Sequence, residues 1–284
     1  VRRVYVTGSF SPASAPLSGL CFPTNEELSM MEDAFDDQYI GCAENMDRTA
    51  DGKIESEMSQ FSLLWENARK KWNSVKTTIS PSLPSNFKDE YGIAIVAYTN
   101  STILYNGKTF STIFNDAVSG AKRSQAASTN NFEFPYFHYY LTRALQCLKG
   151  DCDEMNKITV FGRFASSSTN KKEAEKFGTV TVFIIHTCFG VNIQNMSYNP
   201  KQKEVLIPVN EIFNVTKREG NNIILQSTKQ NCSHFNCSEY WAKQDKYLCG
   251  AICCGSIIKV KEKYLFARSR IRSSPHFVIN CPVE

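Results

Sequence analysis

The chain has 284 residues, of which 42% are hydrophobic, so it can bury the core of one large domain or two modest ones. Its formal net charge of +4 comes from 32 basic and 28 acidic residues that are spread along the whole length. Because no block of like charge is present, composition argues against a nucleic-acid surface, and we predict no nucleic-acid partner.

The chain begins at Val1, and its first thirty residues lack the apolar core of a signal peptide. We therefore predict a processed or disordered segment at residues 1–30. A single domain is expected at residues 31–240, helical over 31–150 and sheet-rich over 151–240. Residues 241–284 are expected to form a divergent tail.

Two amphipathic helices are predicted in the first half. Apolar residues recur at helical spacing from Phe61 to Trp72, and again from Phe137 to Leu148. Lys149 and Gly150 follow the second run as a C-terminal stop. Between the two helices, the short β-branched run at 93–98 predicts one strand.

The pattern changes after Cys152. Short runs rich in Val and Ile, at residues 180–186, 205–209 and 223–225, are separated by Gly, Asn and Pro clusters, which is typical of strands and turns. Helices followed by strands without regular alternation predict an α+β fold, in which a helix-rich N-terminal half packs on a mixed or antiparallel sheet.

Two polar motifs border these β-rich runs. Residues 161–168 read Phe-Gly-Arg-Phe-Ala-Ser-Ser-Ser, and residues 202–208 read Gln-Lys-Glu-Val-Leu-Ile-Pro. Small hydroxyls on one strand and a carboxylate on another can meet only if the two strands are neighbours in the sheet. We predict that they are neighbours and that the two motifs form one site.

Cysteines and glycosylation motifs indicate the compartment. The chain has 11 cysteines, an odd number that leaves at least one without a partner in the same chain. Five Asn-x-Ser/Thr sequons add weaker support. Together they predict an extracellular protein, secreted or attached to the cell surface. The candidate glycosylation sites are Asn100, Asn195, Asn214, Asn231 and Asn236.

No membrane span or nucleotide loop is predicted. The apolar stretch at 248–260 is too short to cross a bilayer, which needs about twenty residues. The tail after it does not resemble a lipid-anchor signal. Neither a Rossmann nor a P-loop glycine pattern is present, so a bound nucleotide would be held in another way.

The ordered motifs resemble the vertebrate ecto-ADP-ribosyltransferases, enzymes that split NAD⁺ and transfer ADP-ribose to arginine or to water. The resemblance covers about residues 34–237 and includes Ala-Phe-Asp-Asp-Gln-Tyr-Ile-Gly-Cys at 34–42 and Trp-Glu-Asn-Ala-Arg-Lys-Lys-Trp at 65–72. Further matches lie at 91–99, 137–146, 161–168, 187–191 and 204–208. It implies the ADP-ribosyltransferase fold, with NAD⁺ as substrate and no metal.

The resemblance also implies roles for the site residues. Glu204 matches the family carboxylate, which stabilises the positive charge that develops as the nicotinamide–ribose bond breaks. Ser166 matches the serine that orients this glutamate and the ribose. We assign cofactor contacts to Tyr98, Arg163 and Ser197, although Arg163 occupies a variable position of its motif. Without the family, Ser166 would be interpreted as a loop-capping serine and Tyr98 as a core aromatic residue of a strand.

Two departures from the family pattern bear on activity. Arginine-specific members carry a second glutamate where this chain has Gln202, which cannot act as a base or pair with a guanidinium, so hydrolysis is favoured over arginine transfer. The family strand with the NAD-binding arginine is missing, because only residues 153–160 separate Cys152 from Phe161. Arg163 does not replace that arginine. Tyr198 is either part of a substrate-facing turn or an ordinary loop aromatic residue.

The family pattern pairs Cys42 with Cys237 and Cys152 with Cys188. The remaining C-terminal cysteines and His234 are candidates for a zinc site, but they lack two Cys-x-x-Cys pairs, and we predict no metal. His138 is expected to be a packed core histidine. Asp36 and Asp37 are expected to be structural.

Two functions remain open from the sequence. The first is an extracellular NAD⁺-dependent mono-ADP-ribosyltransferase with NAD⁺ glycohydrolase activity, whose acceptor is a protein arginine or water. The second is a catalytically silent secreted or cell-surface glycoprotein on the same scaffold. The intact serine and glutamate favour the first, and the missing arginine strand favours the second.

Overall fold

A computed structural model describes residues 2–7, 34–121, 132–150, 163–176, 182–233, 235–237 and 248–251. The described residues from Arg2 to Ala251 belong to one compact unit. Within the described ranges the helices lie mainly in the first half: α1 (Ala43–Asp51), α2 (Ile54–Glu57), α3 (Ser62–Ile79), α4 (Asp89–Thr99), α5 (Phe110–Gly120), α6 (Pro135–Leu148) and α7 (Lys171–Glu175). Short 3₁₀ turns occupy Ser59–Phe61, Ser80–Ser82 and Pro200–Gln202.

The strands lie mainly in the second half. They are β1 (Arg2–Thr7), β2 (Leu104–Tyr105), β3 (Lys108–Thr109), β4 (Ala165–Ser168), β5 (Val182–Thr187), β6 (Val191–Asn192), β7 (Glu204–Ile207), β8 (Glu211–Glu219), β9 (Asn222–Ser233) and β10 (Leu248–Ala251). β2 and β3 form a hairpin, and the other strands form one sheet in the order β10-β9-β5-β1-β4-β7-β6, with β8 also paired to β9. Only β5 and β9 pair in parallel among the described strands, so the sheet is mixed. The predicted α+β class is confirmed.

The two predicted amphipathic helices are α3 and α6. Both bury their apolar faces in a core rich in aromatic rings, where Phe110, Phe114 and Phe137 contact one another with ring centroids 4.8–6.1 Å apart. Stacked and edge-to-face aromatic pairs of this kind add about 0.5–1.5 kcal/mol each beyond the burial of their area. The helical half therefore has a rigid core on which the sheet residues of the site can be positioned.

The strand predicted at residues 93–98 is wrong, because this run lies in helix α4. Every residue from Tyr91 to Asn100 is buried, since α4 packs against both α3 and α6. A helix covered all round shows no amphipathic period, so a short apolar run of this kind cannot be told from a buried strand. Gly92 permits the close approach of α3, as a Cβ there would lie 2.4 Å from the Trp72 ring.

The sheet extends beyond both expected domain boundaries. Residues 1–30 are expected from the sequence to be processed or disordered, yet Arg2–Thr7 form β1 between β4 and β5, with six paired residues along β5. At the other end β10 lies past residue 240 and pairs with β9. A short strand gains its backbone partners only from distant segments, so local sequence carries little signal for either one.

No helix among the described residues has the length and apolar character needed to cross a membrane.

Candidate active site

The two polar motifs lie on adjacent strands, as predicted. β4 and β7 run antiparallel, with Ser166 opposite Leu206 and Ser168 opposite Glu204. The hydroxyls of Ser167 and Ser168 are used for structure, since they donate to the carbonyl oxygens of Val205 and Gln202 at 2.6 and 2.7 Å. Ser166 is exposed, whereas Ser167 and Ser168 on the same strand are buried. It is the one serine of the three that is available to a ligand.

Glu204 is the buried acid of this site. Its side chain is 5% exposed, and both carboxylate oxygens accept hydrogen bonds from hydroxyls. Ser166 Oγ donates to Oε1 at 2.7 Å, and Ser197 Oγ donates to Oε2 at 2.9 Å. Burial raises the pKa of Glu204 above its ordinary value, while the hydrogen bonds from Ser166 and Ser197 lower it in part. The two serines fix the orientation of the carboxylate.

The loop before β7 is hydrogen-bonded to the helical half. The backbone N–H of Tyr198 donates to Thr99 Oγ1 at 2.9 Å, at the C-terminal end of α4. Lys203 adopts a left-handed backbone with φ 48°, which turns the chain sharply from the 3₁₀ turn into β7. Glu204 follows directly, so this turn sets the direction in which the acid enters the sheet.

Gln202 and Tyr198 occupy different places in that loop. Gln202 is half-buried in the 3₁₀ turn, and its carbonyl oxygen accepts from Ser168. Tyr198 is half-buried and packs against the helical core, so it is not an ordinary exposed loop residue. Lys201 and Lys203, on either side of Gln202, are exposed.

Tyr98 lies next to the site, close enough to Glu204 and Ser166 for both to affect the pKa of its phenol. Its hydroxyl donates to the carbonyl oxygen of Phe164 at 3.0 Å and accepts from Asn115 Nδ2 at 2.9 Å. Burial raises the pKa of this phenol well above its usual range. Tyr98 is buried, and its hydrogen bond to Phe164 supports the backbone before β4. Arg163 is half-buried and near enough for its charge to favour the ionised form of Tyr98.

The family model for NAD:arginine ADP-ribosyltransferase matches residues 28–233. The chain belongs to this family.

Among curated relatives of this ADP-ribosyltransferase chain, ecto-ADP-ribosyltransferase 5 of Rattus norvegicus is 38% identical over 239 residues, covering 74% of this chain and 75% of the relative. Ecto-ADP-ribosyltransferase 3 of Homo sapiens is 36% identical over 236 residues and covers 75% of this chain and 59% of the relative. The crystal structure of a mutant of the mono-ADP-ribosyltransferase ART2.2 in complex with NADH superposes with a TM-score of 0.64 at 36% identity, covering 74% of this chain and 98% of that chain. A second ART2.2 mutant structure is a complex with NAD.

One predicted disulfide of the ADP-ribosyltransferase is confirmed. Cys42 and Cys237 are bonded across 195 residues of sequence. In the chain-entropy model such a long loop is worth about 5 kcal/mol. Cys188 is also disulfide-bonded, but its predicted partner Cys152 lies outside the described residues. Cys232, for which the sequence indicates no partner, is disulfide-bonded as well.

The other singled-out residues are structural. His138 Nε2 donates to the Phe35 carbonyl oxygen at 3.0 Å and Nδ1 accepts from Tyr39 OH at 2.8 Å, and burial lowers the pKa of His138 to about 3. Asp36 and Asp37 accept backbone N–H groups near Cys237. His234 lies outside the described residues, and no group of three His, Cys, Asp or Glu side chains within the described ranges is arranged to hold a metal ion.

Two residues of the surrounding structure were missed by sequence reasoning. Asn115 on α5 donates to both Tyr98 OH and the Phe164 carbonyl oxygen, and its own Oδ1 is buried without a partner among the described residues. Glu211 on β8 is fully buried and accepts the backbone N–H groups of Cys188 and Phe189 at 2.7 and 3.2 Å. An acidic residue directly before the apolar pair Ile212 and Phe213, at the start of β8, is the signal that marks Glu211.

Glu211 should make stability depend on pH. Burial raises its pKa to about 7 from 4.5, so the folded state binds the extra proton between these values. The stability that protonated Glu211 contributes is fully present below pH 4.5 and is lost as pH rises through 7. The loss is about 3 kcal/mol, because a difference of one pKa unit corresponds to about 1.36 kcal/mol. As pH rises from 4.5 to 7, we expect the unfolding free energy of the wild type to fall relative to that of Glu211→Gln, which has no carboxyl group to ionise at this position.

Chemical denaturation at several pH values measures that difference. His138 has the opposite effect on stability, because the unfolded chain gains a proton at this histidine as pH falls below 6.5 while the folded chain does not. Both proteins contain His138, so this effect cancels in the difference between them. A difference that is constant from pH 4.5 to 7 would contradict the prediction.

Proposed function

We propose that this chain is an extracellular ADP-ribosyltransferase that cleaves the nicotinamide–ribose bond of NAD⁺ and passes ADP-ribose to water more readily than to arginine. Family membership and the NAD complex of ART2.2 support NAD⁺ as the substrate. The names of the curated relatives and the Cys42–Cys237 disulfide support an extracellular location. The observation that carries the proposal is the buried Glu204, which is held by the hydroxyls of the exposed Ser166 and the buried Ser197.

The geometry suits the cleavage of a glycosidic bond. A transition state of this kind carries positive charge on the ribose, and a fixed carboxylate in a site of low polarity stabilises that charge strongly. Glu204 is pre-oriented, so it does not need to reorganise as the bond breaks. Ser166 is exposed and can donate or accept at the ribose while it orients Glu204.

The acceptor side argues for water. Gln202 supplies an amide where a carboxylate would be needed to bind or deprotonate a guanidinium. Lys201 and Lys203 flank it with exposed positive charge, which opposes the approach of a second cation. Water has no charge and is not disfavoured in this way.

A catalytically silent scaffold is the second candidate. It is supported by the short spacing between Cys152 and Phe161, which leaves no room for the arginine strand that the family resemblance implies. In the sheet, the position beside β4 is occupied by β1. Loss of a guanidinium partner would weaken contacts with the dinucleotide phosphates.

Incubating the purified chain with NAD⁺ and measuring nicotinamide release separates the two candidates. Release at a rate above that of a Glu204→Ala variant supports the enzyme. Binding of NAD⁺ without any release above that variant supports the silent scaffold.

Ser197 should set the pH at which the site becomes active. Catalysis requires ionised Glu204, so the rate rises with pH through the pKa of this group. Removing the donor with Ser197→Ala raises that pKa, because a hydrogen bond to the carboxylate is worth about 1.5–3 kcal/mol. We expect the acidic limb of the pH profile to move to higher pH by about one to two units.

The profile of kcat against pH provides the measurement, with Ser197→Thr as the matched variant that keeps the hydroxyl. An acidic limb that stays in place in Ser197→Ala, while the rate falls uniformly, would show that Ser197 acts only on the fold.

A further inference from the structure

The asparagines of the five glycosylation sequons differ in their exposure to solvent. Asn100 and Asn214 are each 1% exposed. A glycan is bulky and hydrated, so an asparagine that carries one must reach the surface. A folded molecule has no room for a sugar at either of these two positions.

Asn231 and Asn236 are half-buried, and their amide nitrogens already make hydrogen bonds. Asn231 Nδ2 donates to Gln38 Oε1 at 2.9 Å, and Asn236 Nδ2 donates to the Ile40 carbonyl oxygen at 3.0 Å. Asn236 Oδ1 also accepts from the Ile40 N–H at 2.8 Å. A sugar on either nitrogen would crowd the partner that the same nitrogen holds.

Asn195 differs from the other four. It lies in the turn after β6, where the N–H groups of Met196 and Ser197 both donate to the Ile193 carbonyl oxygen. This turn leaves the Asn195 side chain exposed. Its amide makes no hydrogen bond within the described part of the chain. The nitrogen that would carry a glycan is therefore open to solvent.

A small cleft lies beside this side chain. Its volume is about 170 Å³, the scale of one sugar ring, and Asn195 is one of its lining residues. Ile79, Leu83, Leu148 and Met196 provide aliphatic walls, and Asn192 and Ser82 lie among the polar lining. N-acetylglucosamine has an apolar ring face and an acetyl methyl group, which suit such walls, and hydroxyls that suit the polar residues.

We propose that Asn195 carries an N-linked glycan whose first N-acetylglucosamine covers this cleft. The donor is a lipid pyrophosphate-linked oligosaccharide. A bond forms between Asn195 Nδ2 and the anomeric carbon, the bond from that carbon to the pyrophosphate oxygen breaks, and the amide loses one proton as the lipid pyrophosphate leaves.

The sequon shares a residue with the candidate active site. Its third residue is Ser197, which is 1% exposed and donates to Glu204 in the folded protein. The transferring enzyme must reach this hydroxyl, so the glycan is attached before Ser197 is buried. The same hydroxyl thus serves first in the sequon and then in orienting the acid.

Expression of the full chain behind a secretion leader in eukaryotic cells tests the attachment. Enzymatic release of N-glycans in ¹⁸O-labelled water, followed by peptide mass spectrometry, should mark Asn195 and leave Asn100 and Asn214 unmarked. Asn195→Gln should lose the corresponding mobility shift and Ser197→Thr should keep it. An unmarked Asn195 in secreted protein, or a mark at Asn231 or Asn236 in its place, overturns the proposal.

Trimming tests whether the first sugar fills the cleft. An endoglycosidase that leaves one N-acetylglucosamine should keep the Tm of the glycoprotein, and complete removal should lower the Tm to that of Asn195→Asp. Equal Tm values after trimming and after complete removal overturn the packing of the sugar in the cleft. Asn195→Gln should release nicotinamide at the wild-type rate, which separates this proposal from the proposed function.

Discussion

Replacement of Glu204 by glutamine is expected to lower the rate of nicotinamide release by roughly 10²–10⁴-fold, the range that such electrostatic and acid–base groups supply. Glutamine has nearly the same shape and can still accept a hydrogen bond from Ser166. It lacks the negative charge that stabilises the ribose as the bond breaks. The effect should therefore appear in kcat, with a smaller change in KM.

The control for this experiment is another glutamate. Glu219 lies at the exposed end of β8, where it pairs with Lys217, and Glu219→Gln removes the same charge far from the serine strand. Thermal unfolding of both variants separates loss of chemistry from loss of fold. Wild-type release by Glu204→Gln would remove Glu204 from the mechanism and with it the central claim of the proposed function.

Replacement of Gln202 by glutamate is the second large expected effect, and it changes the acceptor. A carboxylate at this position can pair with a guanidinium, and a charged hydrogen bond of about 1.5–3 kcal/mol corresponds to a gain of roughly ten- to a hundredfold in arginine transfer. We expect the ratio of ADP-ribosyl-agmatine to free ADP-ribose to rise by this factor. Total nicotinamide release should change less, because Glu204 is unaltered.

Gln194→Glu is the matched control, since it adds the same charge to a partly buried glutamine of the neighbouring turn, outside the Pro200–Gln202 turn. Product analysis by chromatography with agmatine as acceptor gives the ratio directly. If the wild type already labels agmatine in preference to water, the role assigned to Gln202 is wrong. If Gln194→Glu raises transfer as much as Gln202→Glu does, the effect is one of general charge.

Much of the site could be predicted because its residues lie in two short motifs. The family resemblance identified Ser166 and Glu204 as the site residues, and the structure then showed that Ser166 is the exposed serine of the three. Gln202 was recognised in the same way, as an amide in the place of a carboxylate. These inferences needed only short motifs and their order along the chain, which can be compared with a family without knowledge of the fold.

Other parts of the site depend on distant segments. Asn115 on α5 supports the backbone before β4, although these positions are 49 residues apart. Thr99 accepts a hydrogen bond from the backbone of Tyr198, which is 99 residues away in the sequence. No local pattern marks such partners, because their hydrogen bonds form only after the helical half has packed on the sheet.

The sequence by itself determined the α+β class, the amphipathic helices α3 and α6, the family and the motifs that contain the acid and its serine. Periodicity and short motifs are properties of short segments, so they can be recognised without knowledge of the fold. Only the tertiary structure decided that residues 93–98 are a buried helix and that β1 and β10 join the sheet. It also decided that Ser197 holds the second oxygen of Glu204 and that Asn195, of five sequons, is open to solvent. Burial and backbone pairing depend on which distant segments come into contact, and the sequence of one segment does not specify those contacts.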